Sequence, residues 1–381
     1  MKKKITIILC ALAAVLLALA VILIVMGPFD ERGLVYTVNE DGTTCTIISS
    51  GKCRIWNVNV PEYMDDYKVT AIGKDAFREY KWLRKVTVPA SVTSIGTGAF
   101  SGCERLKSVV LPGTLTEIGS AAFYNCKALC DITVPQSLNT LGWGAFYNCA
   151  SLESVAIPDA VTEIRQGMFY GCSSLKEIRI SDAVTDIGEM AFYGCSSLTS
   201  FTVPEGVTEI DNWMFAHCIS LQTIHLPAGV TFIGQRAFSS CISLENFEIP
   251  EKVKEIGVYA FFECKKLTSL TIPDSVTKID VYAFNQCRGL SSVTLSASLE
   301  EIGERAFYEC DGLTELTLPA SLKWIGSAAF AQTKIETLRY QGTVEQWNAI
   351  EKNDRWNAIL NTDEVVCADG TAKFDEVSEN S

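Results

Sequence analysis

Cysteine is the most prominent residue type in this chain that could do chemistry. The 381 residues include fifteen cysteines, whereas histidine occurs only twice, at His217 and His225. Cysteine thiols can pair as disulfides, bind zinc, or act as nucleophiles beside a base. Ten of them recur every 23 residues, and these are Cys103, Cys126, Cys149, Cys172, Cys195, Cys218, Cys241, Cys264, Cys287 and Cys310. This regular spacing has to be explained before any of the three chemistries is assigned.

A phenylalanine keeps the same interval. The stretch "FYGCSSL" occurs at residues 169–175 and again at 192–198. The recurring residues are Phe77, Phe100, Phe123, Phe146, Phe169, Phe192, Phe215, Phe238, Phe261, Phe284, Phe307 and Phe330. Twelve copies at one period predict a solenoid, in which each copy forms one coil and stacking provides the stability.

Each copy contains a strand-like half and a turn-like half. In "LKSVVLP", residues 106–112, apolar side chains alternate as in a short strand, and Pro112 marks where its hydrogen-bond ladder ends. The pair Ile95-Gly96 is typical of a sharp turn with positive φ. The Phe, Cys and Leu that follow are predicted to point inward from a helical or irregular turn.

In a stacked solenoid, the repeated cysteines are expected to be free. Equivalent β-carbons in neighbouring coils lie about 4.8 Å apart, which exceeds the usual disulfide separation. Zinc sites often use C-x-x-C pairs, and the sequence contains none. We therefore predict ten buried free thiols, since unpaired cysteine behaves as a small apolar residue. Cys45 and Cys53, which flank a predicted hairpin, are the one candidate disulfide.

The repeat resembles the leucine-rich repeats of the bacterial-surface (BspA-like) class. "CSSLTSFTVPEGVTEI", "CKKLTSLTIPDSVTKI" and "CDGLTELTLPASLKWI" all follow that frame, and the resemblance covers about residues 55–342. It implies a leucine-rich-repeat solenoid with an inner parallel β-sheet and short helical or irregular turns outside. It also implies a cell-surface or secreted location and a role in adhesion or protein binding.

The N-terminus predicts a membrane anchor. "MKKK" precedes an apolar run from Ile5 to Met26, which as a helix spans about 33 Å and places the repeats outside the cell. The run is longer than the core of most cleaved signal peptides, although cleavage and secretion are the alternative. The predicted segments are a cytoplasmic basic segment 1–4, a transmembrane signal anchor 5–26, an N-terminal cap with the first strand 27–65, the solenoid 66–341, a C-terminal cap 342–373 and an acidic tail 374–381.

Both caps carry recognisable signals. Two alternating runs around Asn39-Glu40-Asp41-Gly42 predict a hairpin, and residues 55–61 supply the first of thirteen expected strands. At the other end the frame breaks one residue early, at Ile335, and "VVCADGTAKF" predicts a last hairpin. The residues expected to close the core there are Trp347, Ile350, Trp356 and Ile359.

Two columns of the repeat are candidate binding positions. The outward strand positions are mostly Ser and Thr, which stabilise a solvated sheet by cross-strand pairing. The middle coils depart from this pattern, and we predict that a partner contacts Glu177, Arg179, His225, Asn246 and Glu248. A second column contains Tyr124, Tyr147, Tyr170 and Tyr193, which serve either as a packing ladder or as a binding row.

The leading functional hypothesis is a non-catalytic, membrane-anchored protein that binds a protein or glycan at the cell surface. The net charge of −13 disfavours nucleic acid, and no cofactor is expected. One alternative is a structural envelope protein without a dedicated ligand. Another is a hydrolase using His217, which adjoins Cys218; neighbours in sequence seldom face each other, and no third, orienting group is evident.

Overall fold

The computed structural model describes residues 33–51, 55–353, 355–358 and 360–374. Among these residues, no helix is both long and apolar enough to cross a membrane. The predicted anchor at 5–26 lies outside the described residues.

The chain winds into a solenoid with two ladders of parallel strands. The first ladder follows the strand-like half of the repeat, in register, with Val155 beside Ile178 and Phe201 beside Ile224. Its strands are Asn57–Asn59, Lys85–Thr87, Ser108–Val110, Asp131–Ile132, Ser154–Ala156, Glu177–Arg179, Ser200–Thr202, Thr223–His225, Ser269–Thr271, Ser292–Thr294, Glu315–Leu318, Thr337–Tyr340 and Glu364–Cys367. The solenoid predicted from the repeat is therefore confirmed. One expected strand, at residues 246–248, is replaced by a single bridge between Thr223 and Asn246.

The second ladder is a difference from the sequence prediction, which assigned its residues to a turn. Its strands are Ser94–Ile95, Glu117–Ile118, Thr140–Leu141, Glu163–Ile164, Asp186–Ile187, Glu209–Ile210, Phe232–Ile233, Glu255–Ile256, Lys278–Ile279, Glu301–Ile302, Trp324–Ile325 and Glu351–Lys352. Each strand has two residues, too few for an alternating pattern to be recognised. Hydrogen bonds between coils form these strands, so the signal is not local.

The turn-like half consists of β-turns whose backbone also bonds to the next coil. The Ser101 N–H donates within its coil to Gly98 O at 2.9 Å, while the Phe100 N–H donates to Ala122 O of the next coil at 2.8 Å. Positive φ occurs two residues before and two after the column phenylalanine, as at Gly98 and Gly102. Between residues 73 and 333, all of which are described, this half contains no helix. The predicted helical alternative is therefore wrong.

The glycine that follows most strands of the second ladder has a different role from the predicted one. Gly96 and Gly142 do not adopt positive φ, so that prediction is wrong. The backbones of adjacent coils approach closely here instead. A β-carbon at Gly96 would lie 2.7 Å from the Lys74 nitrogen, and one at Gly142 would lie 2.2 Å from the Ser120 nitrogen. Glycine is favoured because a side chain would push the coils apart.

Phenylalanine forms the centre of the core. All twelve repeated rings are fully buried, and neighbouring rings stack with centroids between 5.1 and 5.8 Å apart. The repeated cysteines and leucines are buried beside them. The result is one continuous apolar column.

Both ends of the column are covered. Val35–Val38 and Thr44–Ser49 form the predicted antiparallel hairpin, followed by a small hairpin of Tyr63–Met64 with Tyr67–Ile72. At the far end, Glu315 pairs with Thr337, so the register is one residue short as predicted. The C-terminal elements are the helix Val344–Ala349, capped by Thr343 and Gln346, and an antiparallel hairpin of Glu364–Cys367 and Gly370–Lys373. Trp347, Ile350 and Trp356 are buried, whereas Ile359 lies outside the described residues.

Candidate interaction surfaces

The five residues predicted to contact a partner are all exposed on the first ladder. Glu177 and Arg179 project from one strand and His225 ends another. Asn246 and Glu248 lie on the next coil along the chain. The coil of Ser200–Thr202 separates the first pair from the others, so the five residues do not form one cluster.

A groove lies where the first ladder is interrupted. It has a volume of about 550 Å³, and its walls include Asn246, Glu248 and Glu251 together with Pro250 and Pro273. The structure therefore brings two of the five predicted residues to one concave site. Glu177, Arg179 and His225 do not line this groove.

A large apolar residue accompanies the interruption. Phe247 occupies the inward strand position that is Ile224 in the preceding coil and Leu270 in the following one. Its ring packs edge-on against Phe238 at 5.0 Å and against Phe261 at 4.8 Å. Phe201, at the same repeat position, packs in the same way against Phe192 and Phe215 while its strand Ser200–Thr202 is intact, so the ring alone does not explain the interruption.

The ten repeated cysteines are buried and free. Each thiol donates a hydrogen bond to the carbonyl of the column phenylalanine in the preceding coil, for example Cys103 Sγ to Phe77 O at 3.0 Å and Cys195 Sγ to Phe169 O at 3.3 Å. Burial raises the pKa of Cys103 and of Cys172 to about 12. These thiols therefore hold coils together and are poor nucleophiles.

Thiol reagents should distinguish these cysteines from Cys130, which is exposed. In the native protein, we expect iodoacetamide to modify Cys130 at least about a hundredfold faster than the ten repeated cysteines. A thiol in the core does not ionise readily to the reactive thiolate, and the reagent cannot reach it. Peptide mass spectrometry measures each site, and labelling in denaturant provides the control. Equal native rates at Cys130 and Cys195 would contradict this assignment.

His217 and Cys218 do not meet. His217 adopts positive φ, is exposed, and its ring lies edge-on to Tyr193 at 5.1 Å. Cys218 points into the core, where its Sγ donates to Phe192 O at 3.2 Å and burial raises its pKa to about 12. The geometry therefore counts against the nucleophile and base arrangement that a hydrolase would need.

The four tyrosines form a stack along the turn side. Their centroids lie 4.6, 4.3 and 4.6 Å apart, so the inner ring faces are occupied by neighbouring tyrosines. Gly167 leaves room for this arrangement, because a β-carbon there would lie 3.3 Å from Tyr147 Cδ2. The pKa of Tyr147 is raised to about 12, mainly by burial and next by the neighbouring phenol of Tyr170. The contacts favour packing over a binding row.

The stack continues beyond Tyr193 through residues that the predicted tyrosine column does not include. Trp213 lies 6.0 Å from Tyr193, and the Arg236 guanidinium is held between Trp213 at 4.4 Å and Tyr259 at 4.5 Å. Tyr259 then stacks on Tyr282 at 4.6 Å. All four of these residues lie two positions before a column phenylalanine in the sequence. The aromatic residues change columns at Trp213, so neither column taken alone predicts the continuation.

The candidate disulfide involves one described cysteine. Cys45 is buried in the N-terminal hairpin, with its Sγ 3.7 Å from Tyr67 O, and burial raises its pKa. Cys53 lies outside the described residues. Pairing of the two cysteines stays a prediction.

Comparison with known proteins agrees with the repeat geometry. The family described as BspA type leucine rich repeat region (6 copies) matches residues 51–176, 162–290 and 231–350. No curated protein matches the chain.

Two solved structures show how far the similarity extends. A leucine-rich repeat protein from Bacteroides ovatus is 24% identical with a TM-score of 0.69, over 87% of this chain and 99% of that one. A leucine rich cell surface protein from Faecalibacterium prausnitzii is 27% identical with a TM-score of 0.51, over 84% of this chain and 96% of that one. The stacked coils, the buried repeat residues and the family match lead to one conclusion: the chain belongs to the BspA-type leucine-rich repeat family.

Proposed function

We propose that this chain is a membrane-anchored, outward-facing repeat protein that binds a protein or glycan at the cell surface and catalyses no reaction. The observation that carries the binding role is the groove at Asn246 and Glu248. A carboxylate, an amide and two prolines meet there, on a ladder whose other outward strand positions are mostly serine or threonine.

The shape of the surface supports a macromolecular partner. The groove opens onto the exposed rows of the first ladder, with Ser269 and Thr271 in its wall. A partner that enters it therefore meets further hydroxyl groups along the same rows. A polypeptide or a carbohydrate chain fits such a surface because it can hydrogen-bond along its length.

Cell-surface placement is supported by the apolar run at residues 5–26 and by the similarity to a cell surface protein. Protease treatment of intact cells tests it, since outward-facing repeats should be degraded while cytoplasmic markers survive. Intact-mass measurement tests the anchor. Loss of about 26 residues would replace anchoring with secretion.

Substitution in the groove tests the binding role. We expect Asn246→Ala with Glu248→Ala to weaken binding of the fluorescently labelled repeat domain to host or neighbouring cells by at least about tenfold, the effect of losing a central contact. The matched control is Ser292→Ala with Thr294→Ala, at the same repeat positions two coils further along. Flow cytometry over a concentration series gives both affinities.

Other outcomes favour the alternatives. Unchanged binding after further substitution of Glu177 and Arg179 would favour a structural envelope protein. Turnover of ester or peptide substrates that is lost in His217→Ala would favour a hydrolase.

A further inference from the structure

The first coils carry a basic and aromatic patch that contrasts with the acidic chain. Residues 78–107 contain six Lys or Arg and two Glu, whereas the whole chain has a net charge of −13. We define the Trp–Arg patch as Trp56, Trp82, Arg84, Lys85, Arg105 and Lys107, all of which are exposed. The patch is not used by the binding site proposed above.

The two tryptophans are unusually open to solvent. Trp56 is 53% exposed and Trp82 is 45% exposed. The Arg84 guanidinium lies 4.2 Å from the Trp56 ring centroid, and Arg105 lies 5.9 Å from that of Trp82. Each indole is therefore paired with a cation at the surface.

The cations of the patch have no acidic partner among the residues that the structure describes. Within the described ranges, no carboxylate lies within 4.0 Å of Arg84, Lys85, Arg105 or Lys107. The nearby Glu104 is engaged by Lys127 at 2.8 Å. Elsewhere on the solenoid, equivalent lysines are paired, as in Lys176 with Glu153 at 2.8 Å. The positive charge of the patch is therefore available to an external anion.

The coil geometry gathers these residues. The Arg84 N–H donates to Trp56 O at 2.6 Å, and the Lys107 N–H donates to Arg84 O at 2.8 Å, so the three lie in one column over successive coils. Trp82 and Arg105 form a parallel column that borders a groove of about 280 Å³. The patch thus covers the first three coils.

Its position suggests which anion it contacts. Six residues, 27–32, separate the predicted anchor from Gly33, and they span at most about 20 Å when extended. The patch begins at the first strand and extends about 10 Å along the solenoid, at about 4.8 Å per coil. We propose that the Trp–Arg patch seats the N-terminal coils on an anionic lipid surface, with the arginines at lipid phosphates and the indoles at the headgroup level. This inference rests on the proposed anchoring.

The experiment uses the full chain reconstituted into two kinds of vesicle. One contains phosphatidylcholine alone and the other adds about 30 mol% phosphatidylglycerol to supply anionic charge. Both carry a lipid quencher at the glycerol level, and tryptophan fluorescence is read. We expect at least about twofold greater quenching in the anionic vesicles, and loss of the difference at about 0.5 M salt because screening weakens the attraction.

Matched variants identify the residues responsible. Trp56→Phe with Trp82→Phe should remove the extra quenching, as should Arg84→Glu with Arg105→Glu. Lys265→Glu with Lys266→Glu makes the same change in charge on a distant coil, and this variant should keep the extra quenching in anionic vesicles. Circular dichroism checks that every variant is folded.

Other results overturn the inference or the proposed anchor separately. Equal quenching in both vesicles, or quenching that survives the Arg84 and Arg105 reversal, would refute the patch assignment even if the protein floats with the vesicles. Binding to soluble polyphosphate without a phosphatidylglycerol effect would also refute it. Failure of the full chain to float would refute the anchor instead.

Discussion

Phe192→Ala should lower the free energy of unfolding by about 3–5 kcal/mol, the usual cost of removing a large core ring. Phe192 is fully buried, and its ring lies 5.7 Å from Phe169, 5.4 Å from Phe215 and 4.9 Å from Phe201. Neighbouring coils hold these rings in place on both sides. The cavity therefore cannot collapse without moving the stack.

The substitution should also change the form of the unfolding transition. In a solenoid, stability depends on contacts between adjacent coils, so a weak central interface uncouples the two halves. We expect two transitions in urea, monitored by circular dichroism, instead of one. Phe77→Ala is the control, because Phe77 ends the column and stacks on the single column ring of Phe100 at 5.1 Å. A single transition with an unchanged midpoint in Phe192→Ala would contradict the continuous core.

Gly142→Ala should destabilise the protein by about 2–3 kcal/mol, as expected for overpacking against backbone. The added methyl group would lie 2.2 Å from the Ser120 nitrogen and 2.5 Å from Gly119 C, so the two coils would have to separate. That separation strains the hydrogen bond from the Gly142 N–H to Ile118 O, now 2.8 Å. The cost is finite, since Arg165, Asp211 and Asp280 occupy the same repeat position in other coils.

Gly113→Ala is the matched control. A β-carbon at Gly113 meets nothing within 4 Å, and its φ is not positive. Equilibrium unfolding in urea measures both variants, and we expect Gly113→Ala to change stability by less than about 1 kcal/mol. Equal effects of the two substitutions would show that loss of glycine flexibility, and not contact between coils, explains the result.

Several features of the fold follow from local patterns in the repeat. Val109 and Val155 alternate with exposed residues, which predicts the first ladder, and the recurring phenylalanine predicts the column. The free state of Cys195 follows from the spacing of stacked coils, because parallel positions lie too far apart for a disulfide. The hairpin around Gly42 and the register break at Ile335 were also readable, since both depend on a few adjacent residues.

Other features depend on contacts between coils. Ile118 and Ile164 belong to two-residue strands that exist only through hydrogen bonds to neighbouring coils, so no periodicity along the chain marks them. Gly142 resembles a turn residue in the sequence, but its close neighbour is the backbone of Ser120, which is 22 residues earlier in the chain. Phe247 resembled any inward strand residue, but its ring accompanies a missing strand and the adjacent groove.

The sequence alone determined that this chain repeats one coil, that Phe, Cys and Leu are its interior, and which residues are exposed on its strands. These properties are encoded in every period, and burial of apolar side chains enforces them wherever coils stack. Only the tertiary structure decided that Asn246 and Glu248 share a groove while Glu177, Arg179 and His225 stand apart from it, and that Trp56 and Arg84 meet across coils. Residues at the same repeat position lie 23 apart in the chain, and coil spacing and ring packing set whether their side chains touch.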